Sequence, residues 1–284
     1  MKVLRSVAEA RAFRAASAKA RVGLVPTMGA LHDGHASLIE RAVRENELAV
    51  VSIFVNPTQF GPHDDFTAYP RDESADLAMC ERLGATMVFA PTVDEMYPAG
   101  DATRVQPGPI ADRLEGAARP GHFAGVATVV TKLFAIVRPD VAYFGQKDFQ
   151  QLRVIQTMSR DLRLGVRVVG CPTVRDPDGL AMSSRNRYLS AADHGTALAL
   201  SRSLLAAKDE WSRGERDAAK LRDRVRRDTA APGVALEYVS VADPLTLDEL
   251  ERPAERAVIS VAARVGKARL IDYVLLGMAL EDVA

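Results

Sequence analysis

The first part of the chain alternates between short apolar runs and longer stretches in which apolar residues recur at helical spacing. Short runs rich in β-branched residues are typical of buried parallel strands. Strands are predicted at Val22 to Val25, Leu48 to Val55, Ala85 to Ala90, Val141 to Phe144 and Val166 to Val169. The alternation of strands and helices predicts an α/β protein with a doubly wound parallel sheet.

Helices are predicted between these strands. Ser6 and Glu9 have the spacing of a capping box, so a first helix is expected to begin there and run to about residue 19. Further helices are expected around residues 38–43, over residues 73–83 and 123–137, and from Phe149 onward.

The pattern changes after about residue 175. One or two long helices over residues 191–229, broken near Gly214, precede strand-like runs at Ala235 to Val241, Ala257 to Ala263 and Leu270 to Leu275. Helices followed by adjacent strands predict a smaller α+β domain. We therefore expect domains at residues 1–175 and 176–284, with a turn or hinge at the Asp-Pro-Asp-Gly sequence 176–179.

Composition narrows the functional class. The 284 residues include 37 basic and 37 acidic side chains, and a chain without basic excess is not expected to bind nucleic acid. Cys80 and Cys171 are too few and too far apart for a disulfide framework, which favours buried thiols in a reducing compartment. No uninterrupted apolar segment suits a membrane span or a leader, so we expect a cytoplasmic protein without membrane contact.

The segment Met28 to His35, MGALHDGH, lies where a predicted strand gives way to a helix. In doubly wound sheets ligands bind at such points, and a helix N-terminus offers unpaired N–H groups to an anion. The histidines at positions 32 and 35 can contact phosphate oxygens, and when protonated they can neutralise a leaving pyrophosphate. A helix cap with surface histidines is the alternative. A zinc site would need further ligands that the neighbouring sequence lacks.

Other polar segments are also placed after predicted strands or at the domain junction. Lys147 follows one strand and offers a compact positive charge to phosphates, although strand-end lysines are usually only solvated. Residues 182–187, MSSRNR, combine hydroxyl and guanidinium groups that suit a triphosphate, or else form a polar capping loop. Asn56 and Gln59 could bind a hydroxy acid or stabilise their own loop. Neither a P-loop nor a GxGxxG motif is present.

The segments MGALHDGH, FVNPTQFG, LEGAARPGHFAGVATVV and YFGQKDFQQ, followed by MSSRN, resemble those of the pantoate–β-alanine ligase family, also called pantothenate synthetases. The resemblance spans nearly the whole chain. It implies a Rossmann-like fold of the HxGH nucleotidyltransferase type, a C-terminal lid domain and a homodimer. It also implies ATP and Mg²⁺ as requirements, with pantoate and β-alanine as the other substrates, but it leaves the protein ligands of Mg²⁺ unknown.

The resemblance also assigns roles to residues. The ATP-binding positions it implies are Met28, Gly29, Ala30, Leu31, His32, Asp33, Gly34, His35, Gly145, Gln146, Lys147, Asp148, Val174, Met182, Ser183, Ser184 and Arg185. Within this set, His35 matches the family's proton donor, and His32, Lys147, Ser183, Ser184 and Arg185 complete the catalytic group. Gln59 and Gln151 match the glutamines that hold pantoate, and Gln59 also serves β-alanine. This sequence departs from the family at Gln146, where glutamate is frequent, and at Thr58, where methionine is common.

The implied reaction joins pantoate to β-alanine through a pantoyl-adenylate, with release of AMP and pyrophosphate. Two alternatives stay open at this point. One is a nucleotidyltransferase that passes AMP to a phosphorylated acceptor, because HxGH-type loops occur there too. The other is a catalytically inactive nucleotide-binding protein, which the intact lysine and MSSR segment disfavour.

Overall fold

The computed structural model describes residues 1–62, 64–252 and 255–278. The chain divides into two compact units. The first unit contains Met1–Gly145 and Gln150–Cys171, and the second contains Gln146–Phe149 and the chain from Pro172 onward. The second unit thus includes a four-residue segment from the middle of the chain, which no sequence pattern indicated.

A six-stranded sheet forms the centre of the first unit, and every pair of neighbouring strands is parallel. Its strands are β1 Lys2–Leu4, β2 Val22–Thr27, β3 Leu48–Ile53, β4 Met87–Phe89, β5 Val141–Gly145 and β6 Arg167–Cys171. The predicted doubly wound fold class is confirmed. β1 was not predicted because it is a three-residue edge strand with mostly exposed side chains.

Helices alternate with these strands along the chain. They are α1 Val7–Ala16, α2 Asp33–Glu45, α3 Glu73–Arg82, α4 Val93–Met96, α5 Glu115–Ala118, α6 His122–Val137 and α7 Phe149–Asp161. The predicted capping box of Ser6 and Glu9 is present at the start of α1. Apolar residues of α2, including Leu38 and Ile39, share a buried core with β2 and β3. Cys80 and Cys171 are free and buried, as predicted, and burial raises the pKa of Cys80 to about 12.

The strand order β1-β4-β3-β2-β5-β6 determines where a ligand crevice is expected. The chain passes from β2 through α2 to β3 on one side, whereas β5 pairs with β2 on the other side. The strand order therefore reverses between β2 and β5, and the loops after these strands leave the sheet in opposite directions. The MGALHDGH segment follows β2 directly, at this switch point.

The second unit has a three-stranded antiparallel sheet and two long helices. These are β7 Val234–Ala242, β8 Ala257–Val265, β9 Ala268–Leu276, α8 Ala191–Ser212 and α9 Ala218–Thr229. The predicted break near Gly214 is confirmed, because that glycine has φ +107 between the helices. Ser190 and Asp193 form a capping box at the start of α8. Over the ranges that the structure describes, no helix is both long and apolar enough to cross a bilayer.

Candidate functional site

The predicted site residues are divided between the two units. The MGALHDGH loop, Gln59, Gly145 and Gln151 belong to the first unit. The residues from Gln146 to Asp148, together with Val174 and Met182 to Arg185, belong to the second unit.

A buried carboxylate holds the loop between β2 and α2. Gly29 has φ +77 and Ala30 has φ +51, so the chain makes a tight left-handed bend here. The Asp76 side chain is 3% exposed and accepts hydrogen bonds from the backbone N–H groups of Ala30, at 2.9 Å, and Leu31, at 2.7 Å. A Cβ at Gly29 would lie 2.8 Å from the carboxylate, so glycine is required at this position. Asp76 was missed by sequence reasoning because it lies on α3, far along the chain.

The two histidines of the loop form the N-terminal cap of α2. The backbone N–H of Gly34 donates to His32 Nδ1 at 3.1 Å, and the N–H of His32 points to His35 Nδ1 at 3.4 Å. The ring centroids are 4.2 Å apart. Because each Nδ1 faces a donor, the neutral ring in each case carries its proton on Nε2. Both rings thus take part in capping α2, and this capping orients the two imidazoles as Nε2–H donors.

A hydrogen-bond chain orients the side-chain amide of Gln59, which lies in a short 3-10 helix, Pro57–Gln59. Tyr97 donates to Asn56 Oδ1 at 2.8 Å, and Asn56 Nδ2 donates to Gln59 Oε1 at 3.0 Å. Gln59 Nε2 then points to Met28 Sδ, 3.1 Å away, in the MGALHDGH loop. Burial raises the pKa of Tyr97, which keeps its hydroxyl protonated as a donor. Asn56 thus has the structural role, and it places the amide of Gln59 beside the loop.

The close approach of α6 to this 3-10 helix depends on Gly125. A Cβ at that position would lie 2.3 Å from the carbonyl oxygen of Thr58 and 2.7 Å from Gln59 Cα. Since both atoms are backbone, neither can rotate away, and the two segments would have to separate. Gly125→Ala is therefore expected to lower the free energy of unfolding by about 2 kcal/mol, measured by urea denaturation.

Gly195 in α8 provides the matched control. Nothing lies within 4 Å of a Cβ built there, so Gly195→Ala is expected to leave stability unchanged or raise it slightly. Equal unfolding midpoints for Gly125→Ala and the parent chain would contradict the proposed steric role of Gly125.

Two adjacent glutamines at the start of α7 have different surroundings. Gln150 is 6% exposed, its Oε1 accepts from the N–H of Glu115, and its Nε2 donates to the carbonyl groups of Ile110 and Arg113. Gln150 therefore holds the loop before α5. Gln151 is half-buried, with part of its side chain accessible. Gln151, the glutamine predicted to bind substrate, takes no part in these hydrogen bonds.

In the second unit, Lys147 lies within a short 3-10 helix, Gln146–Asp148. Its side chain is 19% exposed, and its Nζ is 3.6 Å from Asp148 Oδ1. Gln146 is buried, and its Oε1 accepts a hydrogen bond from the Tyr273 hydroxyl on β9. The segment thus presents a partly accessible ammonium group on a backbone whose first residue is held inside the unit.

The third predicted segment contains a turn followed by another short 3-10 helix, Ser184–Tyr188. The N–H of Met182 donates to the carbonyl of Val174 at 3.0 Å, which closes the turn predicted between them. Ser183 caps the 3-10 helix by accepting from the N–H of Arg185 at 3.3 Å. A hydroxyl that accepts in this way keeps its own proton for donation.

Strand β9 contacts both of these 3-10 helices in the second unit. Arg175, which follows Val174, forms two hydrogen bonds with the buried Asp272 carboxylate, at 2.7 and 2.9 Å. The next residue of β9, Tyr273, contacts Gln146. The sequence predicted both segments as candidate phosphate-binding sites but did not indicate the strand that supports them, because β9 has the pattern of an ordinary apolar strand.

Within the residues described, no group of three or more His, Cys, Asp or Glu side chains is arranged to hold a metal ion.

A doubly wound sheet whose central strand leads through a glycine- and histidine-containing loop into a helix N-terminus defines a Rossmann-like protein of the HxGH class.

Comparison with known sequences identifies the family within this class. The model of the pantoate-beta-alanine ligase family matches residues 2–275, and the chain belongs to this family. The pantothenate synthetase of Geobacter sulfurreducens is 50% identical over 280 residues, which are 98% of this chain and 99% of that protein. A bifunctional pantoate ligase/cytidylate kinase of Gloeobacter violaceus is 52% identical over 282 residues; these are 98% of this chain but only 55% of that longer protein.

Solved structures agree with this assignment. The pantothenate synthetase of Thermus thermophilus superposes with a TM-score of 0.92 at 49% identity, over 96% of this chain and 99% of that chain. The pantoate-beta-alanine ligase of Francisella tularensis, solved in complex with beta-gamma ATP and beta-alanine, has a TM-score of 0.80 at 35% identity. That match covers 98% of this chain and 99% of the other. The family predicted from the sequence motifs is confirmed.

Proposed function

We propose that this chain catalyses the ATP-dependent condensation of pantoate with β-alanine to pantothenate through a pantoyl-adenylate. The overall reaction is assigned from the match of residues 2–275 to the ligase family. The β2–α2 loop supports the ATP-dependent part, because the two imidazoles capping α2 are oriented as donors beside a helix N-terminus.

In the first step, a carboxylate oxygen of pantoate attacks the α-phosphorus of Mg-ATP. The bond from that phosphorus to the bridging oxygen breaks, and pyrophosphate leaves with its electron pair. In the second step, the amine of β-alanine attacks the activated carbonyl, AMP leaves, and the nitrogen loses a proton. A free carboxylate is a poor acyl donor, and adenylation replaces oxide with AMP as the leaving group.

Residues of the first unit are assigned to the pantoate and to the nucleotide. Gln59 and Gln151 hold pantoate by hydrogen bonds, and the amide of Gln59 is already oriented by Asn56. The residues from Met28 to His35, with Gly145, contact ATP. His32 and His35 donate Nε2–H hydrogen bonds to phosphate oxygens, and His35, which matches the family's proton donor, directs its Nε2–H to the leaving pyrophosphate.

Residues of the second unit are assigned to the phosphates. Lys147 supplies a compact positive charge, flanked by Gln146 and Asp148. Val174 and Met182 contact the nucleotide, and Ser183, Ser184 and Arg185 contact the triphosphate through hydroxyl and guanidinium donors. In this proposal the second unit acts as a lid, and the active protein is a cytoplasmic homodimer. The magnesium ion enters with ATP as part of the substrate.

Isotope exchange tests the adenylate. With Mg-ATP and labelled pyrophosphate, the purified chain is expected to form labelled ATP only when pantoate is present, and without β-alanine. Adding β-alanine is then expected to yield pantothenate and AMP in equal amounts. The two alternatives make different predictions: an AMP transferase with another acceptor shows no pantoate-dependent exchange, and an inactive nucleotide-binding protein forms no AMP.

A further inference from the structure

The side chain of Gln146 makes an incomplete set of hydrogen bonds inside the second unit. It is 1% exposed, and its Oε1 accepts from the Tyr273 hydroxyl at 2.7 Å. Its Nε2 is buried and has no hydrogen-bond partner within the described part of the chain. A buried amide normally pairs both of its polar ends, so the orientation of this one depends on Tyr273.

Tyr273 contacts the residues on both sides of the Lys147–Asp148 pair. Its hydroxyl binds Gln146, which precedes the pair, and its ring stacks on Phe149, which follows it, with centroids 5.1 Å apart. Tyr273 is itself 8% exposed. Burial raises its pKa, so the phenol stays protonated and donates.

A side chain whose only role is to fill the core does not need the hydrogen bond that Tyr273 donates to Gln146. Phenylalanine would provide the same ring against Phe149 without burying a hydroxyl that needs a partner. The hydroxyl instead pairs with the side chain directly before the lysine. The neighbouring residue of β9, Asp272, holds Arg175 beside Val174, so β9 anchors the second nucleotide segment of this unit as well.

We propose that Tyr273 is a positioning residue for Lys147, acting through Gln146 and Phe149. The hydroxyl and the ring fix the two ends of the segment, which limits where the ammonium group can lie. Small displacements of a charge that stabilises a transition state reduce the rate strongly. The inference rests on the proposed function, because it assumes that Lys147 serves adenylation.

The test measures pantoate-dependent ATP–pyrophosphate exchange in the full-length protein. Tyr273→Phe removes the hydroxyl but keeps the ring, and it is expected to slow exchange about tenfold. Gln146→Met, which keeps the length of the side chain but lacks the amide oxygen that accepts from Tyr273, is expected to have a similar effect. Tyr238→Phe, on β7 of the same sheet, is the control and is expected to exchange at the parent rate.

Combining Tyr273→Phe with Lys147→Ala separates positioning from a general structural role. If Tyr273 acts through Lys147, its loss has no further effect once the lysine is absent. An additional tenfold loss in the double variant would overturn the proposal, and so would an unchanged rate in Tyr273→Phe. If the parent chain itself shows no exchange, the proposed function fails instead. Thermal unfolding of each variant confirms that the folded protein is being compared.

Discussion

Lys147→Ala is expected to slow the formation of pantoyl-adenylate by more than about a hundredfold, which corresponds to a loss of roughly 3 kcal/mol of transition-state stabilisation. Negative charge builds up on the phosphate oxygens as pyrophosphate leaves, and the ammonium group of Lys147 is the compact cation assigned to it. Single-turnover release of pyrophosphate from ATP in the presence of pantoate, without β-alanine, measures this step directly.

The fold is not expected to depend on this lysine. Its ion pair with Asp148 is 3.6 Å long, and the carboxylate is 48% exposed, so the pair contributes little to stability. Lys208→Ala, on the exposed face of α8, provides a matched control that removes a surface lysine and should retain the parent rate. Adenylate formation at the parent rate in Lys147→Ala would refute the assignment.

Asp76→Ala is expected to lower the free energy of unfolding by roughly 3 kcal/mol, because it leaves two buried backbone N–H groups without their carboxylate. These N–H groups belong to Ala30 and Leu31, which are 1% and 5% exposed, so water does not readily replace the lost acceptor. Urea denaturation of the variant and the parent chain measures the difference.

Asp76→Ala is also expected to lower the rate of adenylation in the fraction of the protein that remains folded. Ala30 keeps φ +51 only while surrounding contacts compensate for the strain, and the hydrogen bond to Asp76 is one of them. Without this carboxylate the loop can relax, and His32 and His35 lose their fixed orientation at the start of α2. Exchange assays under conditions in which the variant is fully folded separate the two effects.

Variants of matched chemistry make this prediction specific. Glu40→Ala removes an exposed carboxylate from α2 and is expected to leave both stability and exchange unchanged. Asp76→Asn keeps one acceptor but turns an NH₂ group toward a backbone N–H, so an intermediate loss of stability is expected. An Asp76→Ala protein as stable as the parent would show that the loop does not depend on this carboxylate.

The main elements of the fold were predictable because their residues carry strong local patterns. The β-branched run that forms β3 and the capping box at Ser6 each involve only a few neighbouring residues. β1 was missed because three mostly exposed edge residues have no such pattern. The assignment of residues 146–149 to the second unit was also missed, since it depends on contacts with a strand more than a hundred residues later.

The sequence by itself determined the family and most of the strand and helix pattern, because each is encoded in consecutive residues. It also predicted the segments that are proposed to bind phosphate. Tertiary structure alone decided which side chains support those segments: Asp76 binds the backbone of the histidine loop, Tyr97 binds Asn56, and Tyr273 binds Gln146. These pairs are separated by about 40 to more than 100 residues. Local propensity carries no information about such contacts, and only packing brings the donor and acceptor within hydrogen-bonding distance.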